Sequence, residues 1–216
     1  TEFYNDSRAF ACALMDFGIN PHKAVNILGF NAPEWHIAFL GSLFGMFLPV
    51  GVYTTNGPEA CQYIAEHSEA QVAVVENNEA LQKYFQIWDS LPELKLIVVW
   101  SDKLPENIPH SRKSAVILFS ELIKSGKANF NESSLLMRAS QIKPGSCCTL
   151  VYTSGTTGNP KGVMLSHDNY SWTSECVNRT VQGKFGEERI VSYLPLSHVA
   201  AQNLDIIGCI ALGAEI

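Results

Sequence analysis

What this chain has little of narrows it quickly. It has no basic stripe: 15 lysines and arginines face 21 aspartates and glutamates, a net charge of −6. That balance excludes nucleic acid as an expected partner, because nothing offers a phosphate backbone a run of cations. The six cysteines (Cys12, Cys61, Cys147, Cys148, Cys176 and Cys209) form no C-x-x-C pair and no His/Cys group at zinc spacing. They read as reduced thiols, with the adjacent Cys147 and Cys148 serving as packing. Long hydrophobic runs are missing too. The longest, 38–52, is interrupted by Gly41, Ser42, Gly45, Pro49 and Gly51, which is too broken for a membrane-spanning helix. The opening residues, Thr1 to Arg8, have neither the basic nor the apolar region of a signal peptide, so a cytoplasmic setting is expected. In that setting the N-x-Ser/Thr sequons at Asn5, Asn131, Asn169 and Asn178 read as chance. No repeat and no low-complexity segment is present.

Charged residues make up 17% of the chain and hydrophobic ones 46%, the balance of a well-buried α/β protein of one large or two small domains. The hydrophobic pattern alternates between short apolar runs and helical spacing. Helices are expected at 7–17 (Phe10, Leu14 and Phe17 on one face), 33–44, 58–68, 79–88, 120–124, 167–180 and 196–212, the last with Ser197 as its cap. Strands are expected at 24–28, 48–53, 71–75, 95–100, 115–118, 147–153, 163–165 and 189–194, with 214–216 opening another. Residues 101–113 read as a surface loop and 126–134 as polar and mobile. His36 reads as a core or rim residue of its helix rather than a ligand. The alternation favours mainly parallel sheets flanked by helices on both faces.

One stretch departs from this pattern. After the apolar strand 147–153, Ser154-Gly-Thr-Thr-Gly-Asn-Pro-Lys-Gly162 gathers glycines, hydroxyls and one lysine as nowhere else. Glycines let backbone N–H groups turn toward an anion and form a concave nest. Ser154, Thr156 and Thr157 add hydroxyl donors, Lys161 adds a compact positive charge, and Pro160 fixes its own φ beside it. A phosphate-binding loop is the reading. It is not a Walker A loop, which would need glycine where Pro160 stands.

Tyr152-Thr-Ser-Gly-Thr-Thr-Gly-Asn-Pro-Lys-Gly162 resembles the phosphate-binding signature of the adenylate-forming superfamily, which includes acyl-CoA synthetases, luciferases and peptide-synthetase adenylation domains. Val191-Ser-Tyr-Leu-Pro-Leu-Ser-His-Val-Ala-Ala-Gln202 resembles the next block of fatty acyl-CoA synthetases, in wording closest to the bubblegum type. The resemblance runs through essentially all 216 residues. It implies an α/β fold with helix-flanked, mainly parallel sheets, two of them stacked in a large N-terminal domain. This chain would supply part of that domain, 1–216, and the C-terminal lid, the adenine and ribose motifs and the lid lysine have no counterpart in it.

The chemistry implied is activation of a long-chain fatty acid by ATP through an acyl-adenylate, then transfer to coenzyme A. The resemblance carries the triphosphate role onto Thr153, Ser154, Gly155, Thr156, Thr157, Gly158, Asn159, Pro160 and Lys161. Mg²⁺ is expected to enter with ATP, with Thr157 its candidate ligand. His198 is the candidate that orients the substrate carboxylate, with Tyr193 and Gln202 beside it; helix capping is its competing role. His167 reads equally well as a helix-start residue. The amino-acid-activating relatives place an aspartate in the second block, and 194–202 has none, which favours a fatty or other unfunctionalised acid. Another carboxylic acid, or nucleotide binding without catalysis, stays open. Peripheral contact with a membrane, such as the endoplasmic reticulum surface, would suit lipid substrates.

Overall fold

The computed structural model describes residues 2–106, 108–153 and 159–216. Seven strands form one sheet in the order β5-β4-β3-β1-β2-β6-β7. They are β1 (Ala24–Leu28), β2 (Leu48–Val52), β3 (Ala70–Val75), β4 (Leu96–Val99), β5 (Val116–Leu118), β6 (Cys147–Thr153) and β7 (Lys161–Ser166). The ladder is parallel from β5 through to β6, and only β7 turns back antiparallel against β6.

The central strands are apolar on both faces because helices cover both faces. Val25, Ile27, Val72, Val74, Leu96 and Val98 point to one side, into α1 (Glu2–Asp16), α2 (Pro33–Phe44) and α5 (Phe119–Ala128). Leu28, Ala73, Val75, Ile97 and Val99 point to the other, into α3 (Pro58–His67) and α4 (Asn78–Ile87). This is the period-two pleat of a strand, with both faces apolar. Asn26, the polar exception in β1, is fully buried and satisfied: its amide donates to the Ser68 hydroxyl and its oxygen accepts from Tyr84. Pro33 opens α2 at a position whose N–H would be unbonded anyway, and Asn77 Oδ1 caps α4 by accepting the Ala80 N–H.

Several expectations are corrected. Helix α1 begins at Glu2, and Phe17 lies beyond its end and is exposed. Residues 126–134 are structured. Helix α5 runs on to Ala128, and α6 (Glu132–Ala139) starts at an Asn131 cap, burying Leu135 against Ala11 and Cys12. Gly126 is not a breaker but a contact. A Cβ there would lie 1.9 Å from the Ala9 carbonyl oxygen, so its hydrogen lets α5 cross α1 closely.

Residues 189–194 form no strand among the described residues. Only Arg189 bridges, in parallel, to Glu215, because a strand needs a neighbour and the sheet's last edge is already β7. The 214–216 expectation reduces to the same bridge. The described residues hold one sheet, and the two stacked sheets that the resemblance implies would belong to the larger domain of which this chain is expected to supply part. Following α7 (His167–Val181), the helix expected at 196–212 begins at α8 (Val199–Ala201), passes through a π-helical stretch (Gln202–Gly208) and ends as α9 (Cys209–Leu212). His198, not Ser197, caps it.

Gly126→Ala should destabilise the chain by about 1–3 kcal/mol through overpacking against α1, despite alanine's better helix propensity. Gly145→Ala, in open space, should fall within about 0.5 kcal/mol of the parent. Urea denaturation of the two variants checks the contrast.

Candidate functional site

The stretch expected to bind phosphate joins β6 to β7 at the carboxyl end of the parallel strands, where open α/β sheets bind ligands. Strand β6 is held to β2 by a thin ladder, and the Thr149 hydroxyl reinforces it by donating to the Pro49 carbonyl at 2.6 Å. Across the hairpin, Thr153 pairs with Lys161, and both are exposed. The strands thus set a hydroxyl and an ammonium-bearing residue opposite each other at the two roots of the loop. Asn159 is exposed and Pro160 half-buried beside Lys161. Ser154, Gly155, Thr156, Thr157 and Gly158 lie outside the described residues.

Pleat alternation assigns the faces. Leu150 and Tyr152 point toward the α3–α4 side, so Thr153, and Lys161 paired with it, point toward the α2 side. The second block reaches that same face. Val50 and Val52 belong to the α3–α4 side, so Gly51 between them faces α2, and a Cβ there would meet Ser197 Cα at 2.6 Å. The chain at Ser197–His198 therefore lies over β2, the strand next to β6, on the face to which Thr153 and Lys161 point.

Asn31, in the turn after β1, anchors this block. Its amide donates to the Leu194 carbonyl and the Ser192 hydroxyl, each at 2.8 Å, and its oxygen accepts the Leu196 N–H at 3.0 Å. Strand order reverses at β1, with β2 on one side and β3 on the other, so Asn31 stands at the switch point of the sheet.

His198 is exposed and does two things at once. Its Nδ1 accepts the Ala200 N–H at 3.1 Å, capping the helix. A neutral imidazole that accepts through Nδ1 carries its proton on Nε2, leaving that N–H as a donor. Capping and carboxylate recognition are therefore compatible. Tyr193, earlier in the same block, is 79% exposed. Gln202 is different: it is fully buried, its oxygen accepting from the Tyr170 hydroxyl and its amide donating to the Leu196 carbonyl at 2.9 Å. It braces α7 and the second block from inside. Burial pushes the Tyr170 phenol well above its usual range, so it remains a donor.

His167 is the first residue of α7, behind a capping box made by Ser166 and Asn169, and burial lowers its pKa. The six cysteines are free, and burial pushes Cys148 up to about 12 and Cys61 to about 11, so neither is a ready thiolate. No helix among the described residues is long and apolar enough to cross a membrane, and no three of their His, Cys, Asp or Glu residues group as a metal site.

A cavity of about 870 Å³ lies along the helix 199–212, lined by Asn31, His36, Ser192, Asp205, Cys209 and Ile210 among others. Asp205 accepts the Ser192 hydroxyl at 2.7 Å. His36 bonds the Ala32 carbonyl through Nδ1, while its buried Nε2 has no partner among the described residues. Neither His198 nor Tyr193 lines this cavity.

The chain belongs to the family described as AMP-binding enzyme, whose sequence model matches residues 1–216. Among its relatives is the long-chain-fatty-acid–CoA ligase ACSBG2 of Xenopus laevis, 45% identical over 95% of this chain and 27% of that protein. ACSBG1 of Bos taurus is 41% identical over 100% of this chain and 29% of its own length. The chain thus spans under a third of the curated relatives it matches. Its fold superposes on the anthranilate CoA ligase AuaEII in complex with anthranoyl-AMP with a TM-score of 0.85 at 25% identity, covering 99% of this chain and 38% of that one. A benzoate CoA ligase from Burkholderia xenovorans shares the fold with a TM-score of 0.80 at 21% identity, over 99% and 38%.

Asn31→Ala should lower stability by about 1–3 kcal/mol, since it leaves the Leu194 carbonyl and Leu196 N–H without their partner. Amide hydrogen exchange across 192–198 should speed up more than in β1, which checks that the loss is local to the second block.

Proposed function

We propose that the chain carries the phosphate-binding and acyl-carboxylate part of a long-chain fatty acid–CoA ligase. ATP and a fatty acid would give an acyl-adenylate and pyrophosphate, and coenzyme A would then take the acyl group and release AMP. The observation that carries the reading is the β6–β7 hairpin, which sets Thr153 opposite Lys161 at the carboxyl edge with a glycine- and hydroxyl-rich connection between them.

A carboxylate is a poor nucleophile toward the α-phosphorus, so the protein must hold the triphosphate and spread the charge of leaving pyrophosphate. Lys161 suits the β- and γ-phosphates, the hydroxyls of Thr153, Ser154, Thr156 and Thr157 supply donors, and Gly155 and Gly158 bring backbone N–H groups close, with Asn159 and Pro160 leading into the lysine. Bound Mg²⁺ would neutralise phosphate charge, and the hydroxyl-rich loop, Thr157 included, fits a hard cation that keeps oxygen ligands. His198 Nε2–H would donate to the acid's carboxylate, with Tyr193 of the same block as its weaker companion. Gln202 supports that block from within rather than touching substrate.

The fatty-acid assignment draws on the absence of an aspartate in 194–202 and on the ligase relatives. Asp205, already bonded to Ser192, is not free to take a substrate amine. Free cysteines suit a cytoplasmic enzyme, and bilayer-partitioning substrates suit work beside a membrane such as the endoplasmic reticulum.

The test is ATP–pyrophosphate exchange, run on the full-length expressed protein with a panel of fatty, aryl and amino acids. Long-chain fatty acids should support exchange, and Lys161→Ala should reduce it about a hundredfold with the fold intact. An unchanged rate in Lys161→Ala would sink the loop assignment, and a preference for aryl acids would move the substrate.

A further inference from the structure

Three residues of this corner, Tyr152, Gly162 and His67, have no part in holding phosphate. Tyr152 is 6% exposed and points away from the face used by Thr153 and Lys161. Its register partner on β7 is Gly162. A Cβ on Gly162 would lie 3.2 Å from Tyr152 Cζ and 3.4 Å from its hydroxyl oxygen, so the ring lies flat across β7 where any larger residue would press on it. Gly162 has no positive φ. Its need for glycine is steric.

Past Gly162, the Tyr152 hydroxyl lies 2.8 Å from Nδ1 of His67, the last residue of α3. Tyr63, one turn earlier, stacks on the His67 ring at 5.5 Å and 23°, and meets Tyr152 edge-on at 6.5 Å and 86°. The two rings of the hydrogen-bonded pair are themselves edge-on, at 5.7 Å and 80°. A chain of contacts therefore runs α3–β6–β7, directly beneath the two roots of the loop.

The position matters because, among the described residues, β7 lies at the end of the sheet with β6 as its only strand neighbour. Its residues Val163 and Met164 are exposed, so little apolar burial pins it down. Lys161 precedes Gly162 and Thr153 follows Tyr152, so a ring laid across the pair sets how the two loop roots stand relative to each other.

We infer that His67 is a positioning residue for the phosphate loop: it holds the Tyr152 ring across Gly162, and so fixes Lys161 against Thr153 from the opposite face of the sheet. This rests on the phosphate-loop reading above. His67 touches no substrate. Its effect should appear in how ATP is held, not in how the acid is held.

The experiment compares His67→Ala, His67→Asn, Tyr152→Phe and the His67→Ala/Tyr152→Phe double variant in the full-length protein, by ATP–pyrophosphate exchange at varied ATP and varied fatty acid. Loss of one hydrogen bond should raise the KM for ATP about fivefold in His67→Ala and in Tyr152→Phe, with the KM for fatty acid and the urea midpoint near parental. The double variant should be no worse than either single, because both remove the same bond. His67→Asn, whose side-chain amide can stand where Nδ1 stands, should recover most of the loss. An unchanged KM for ATP in both singles would overturn the inference. So would additive losses, or equal losses for ATP and acid accompanied by a lower urea midpoint. Lys161→Ala, run alongside, separates the two levels. If it abolishes exchange while the His67 and Tyr152 variants do not alter the KM for ATP, only the His67 inference falls; if it too is without effect, the phosphate-loop reading falls with it.

Discussion

Everything at the candidate site hangs on the attachment of β6 to β2. The five strands from β5 to β2 form a core that is buried on both faces and internally complete, while the loop-bearing hairpin is added at its edge. Pro49 has no N–H to give that junction. The Thr149 hydroxyl reaches the Pro49 carbonyl instead, inside the sheet and fully buried, and this bond joins the β6–β7 hairpin to the rigid core. A site built on the end of such a sheet inherits its precision without borrowing its stability.

The two faces of the hairpin divide the labour. Toward α2 lie Thr153, Lys161 and, over Gly51, the Ser197–His198 segment. Toward α3 lie Tyr152 and the rings of Tyr63 and His67. Strand alternation alone produces this arrangement, since adjacent residues of one motif must point to opposite sides. On the proposed reading, the signature from Tyr152 to Gly162 would combine two kinds of requirement: residues that meet the nucleotide, and residues that hold the hairpin still. The second block has the same dual character. His198 caps its helix through one nitrogen and presents the other, while Gln202 locks that helix to Tyr170 from inside.

What could be read from the sequence was local. Strands β1 and β6 and helix α2 fall at their expected residues because apolar runs and helical spacing are short-range signals. The stretch 154–162 stands out in the sequence because its glycines, hydroxyls and lysine are contiguous, while residues 154–158 lie outside the described ones. Asn31, Gly51 and His67 were not, because each acts on a partner far along the chain. Asn31 reaches Leu194 and Leu196, and His67 reaches Tyr152 across 85 residues. Nothing in the neighbourhood of either residue announces that partner. Residues 189–194 misled in the opposite way: their composition suits a strand, but a strand exists only where another backbone lies alongside, and here only Arg189 finds Glu215. The π-helical stretch 202–208 keeps helical apolar spacing well enough to read as ordinary helix.

The central claim is that the connection between β6 and β7 holds a triphosphate. Amide hydrogen exchange across 152–162, with no nucleotide, with AMP and with ATP plus Mg²⁺, tests it most directly. The account predicts strong protection of this stretch by ATP and little by AMP, because the added phosphates are what the loop would hold. Equal protection by both nucleotides, or none by ATP, would contradict it.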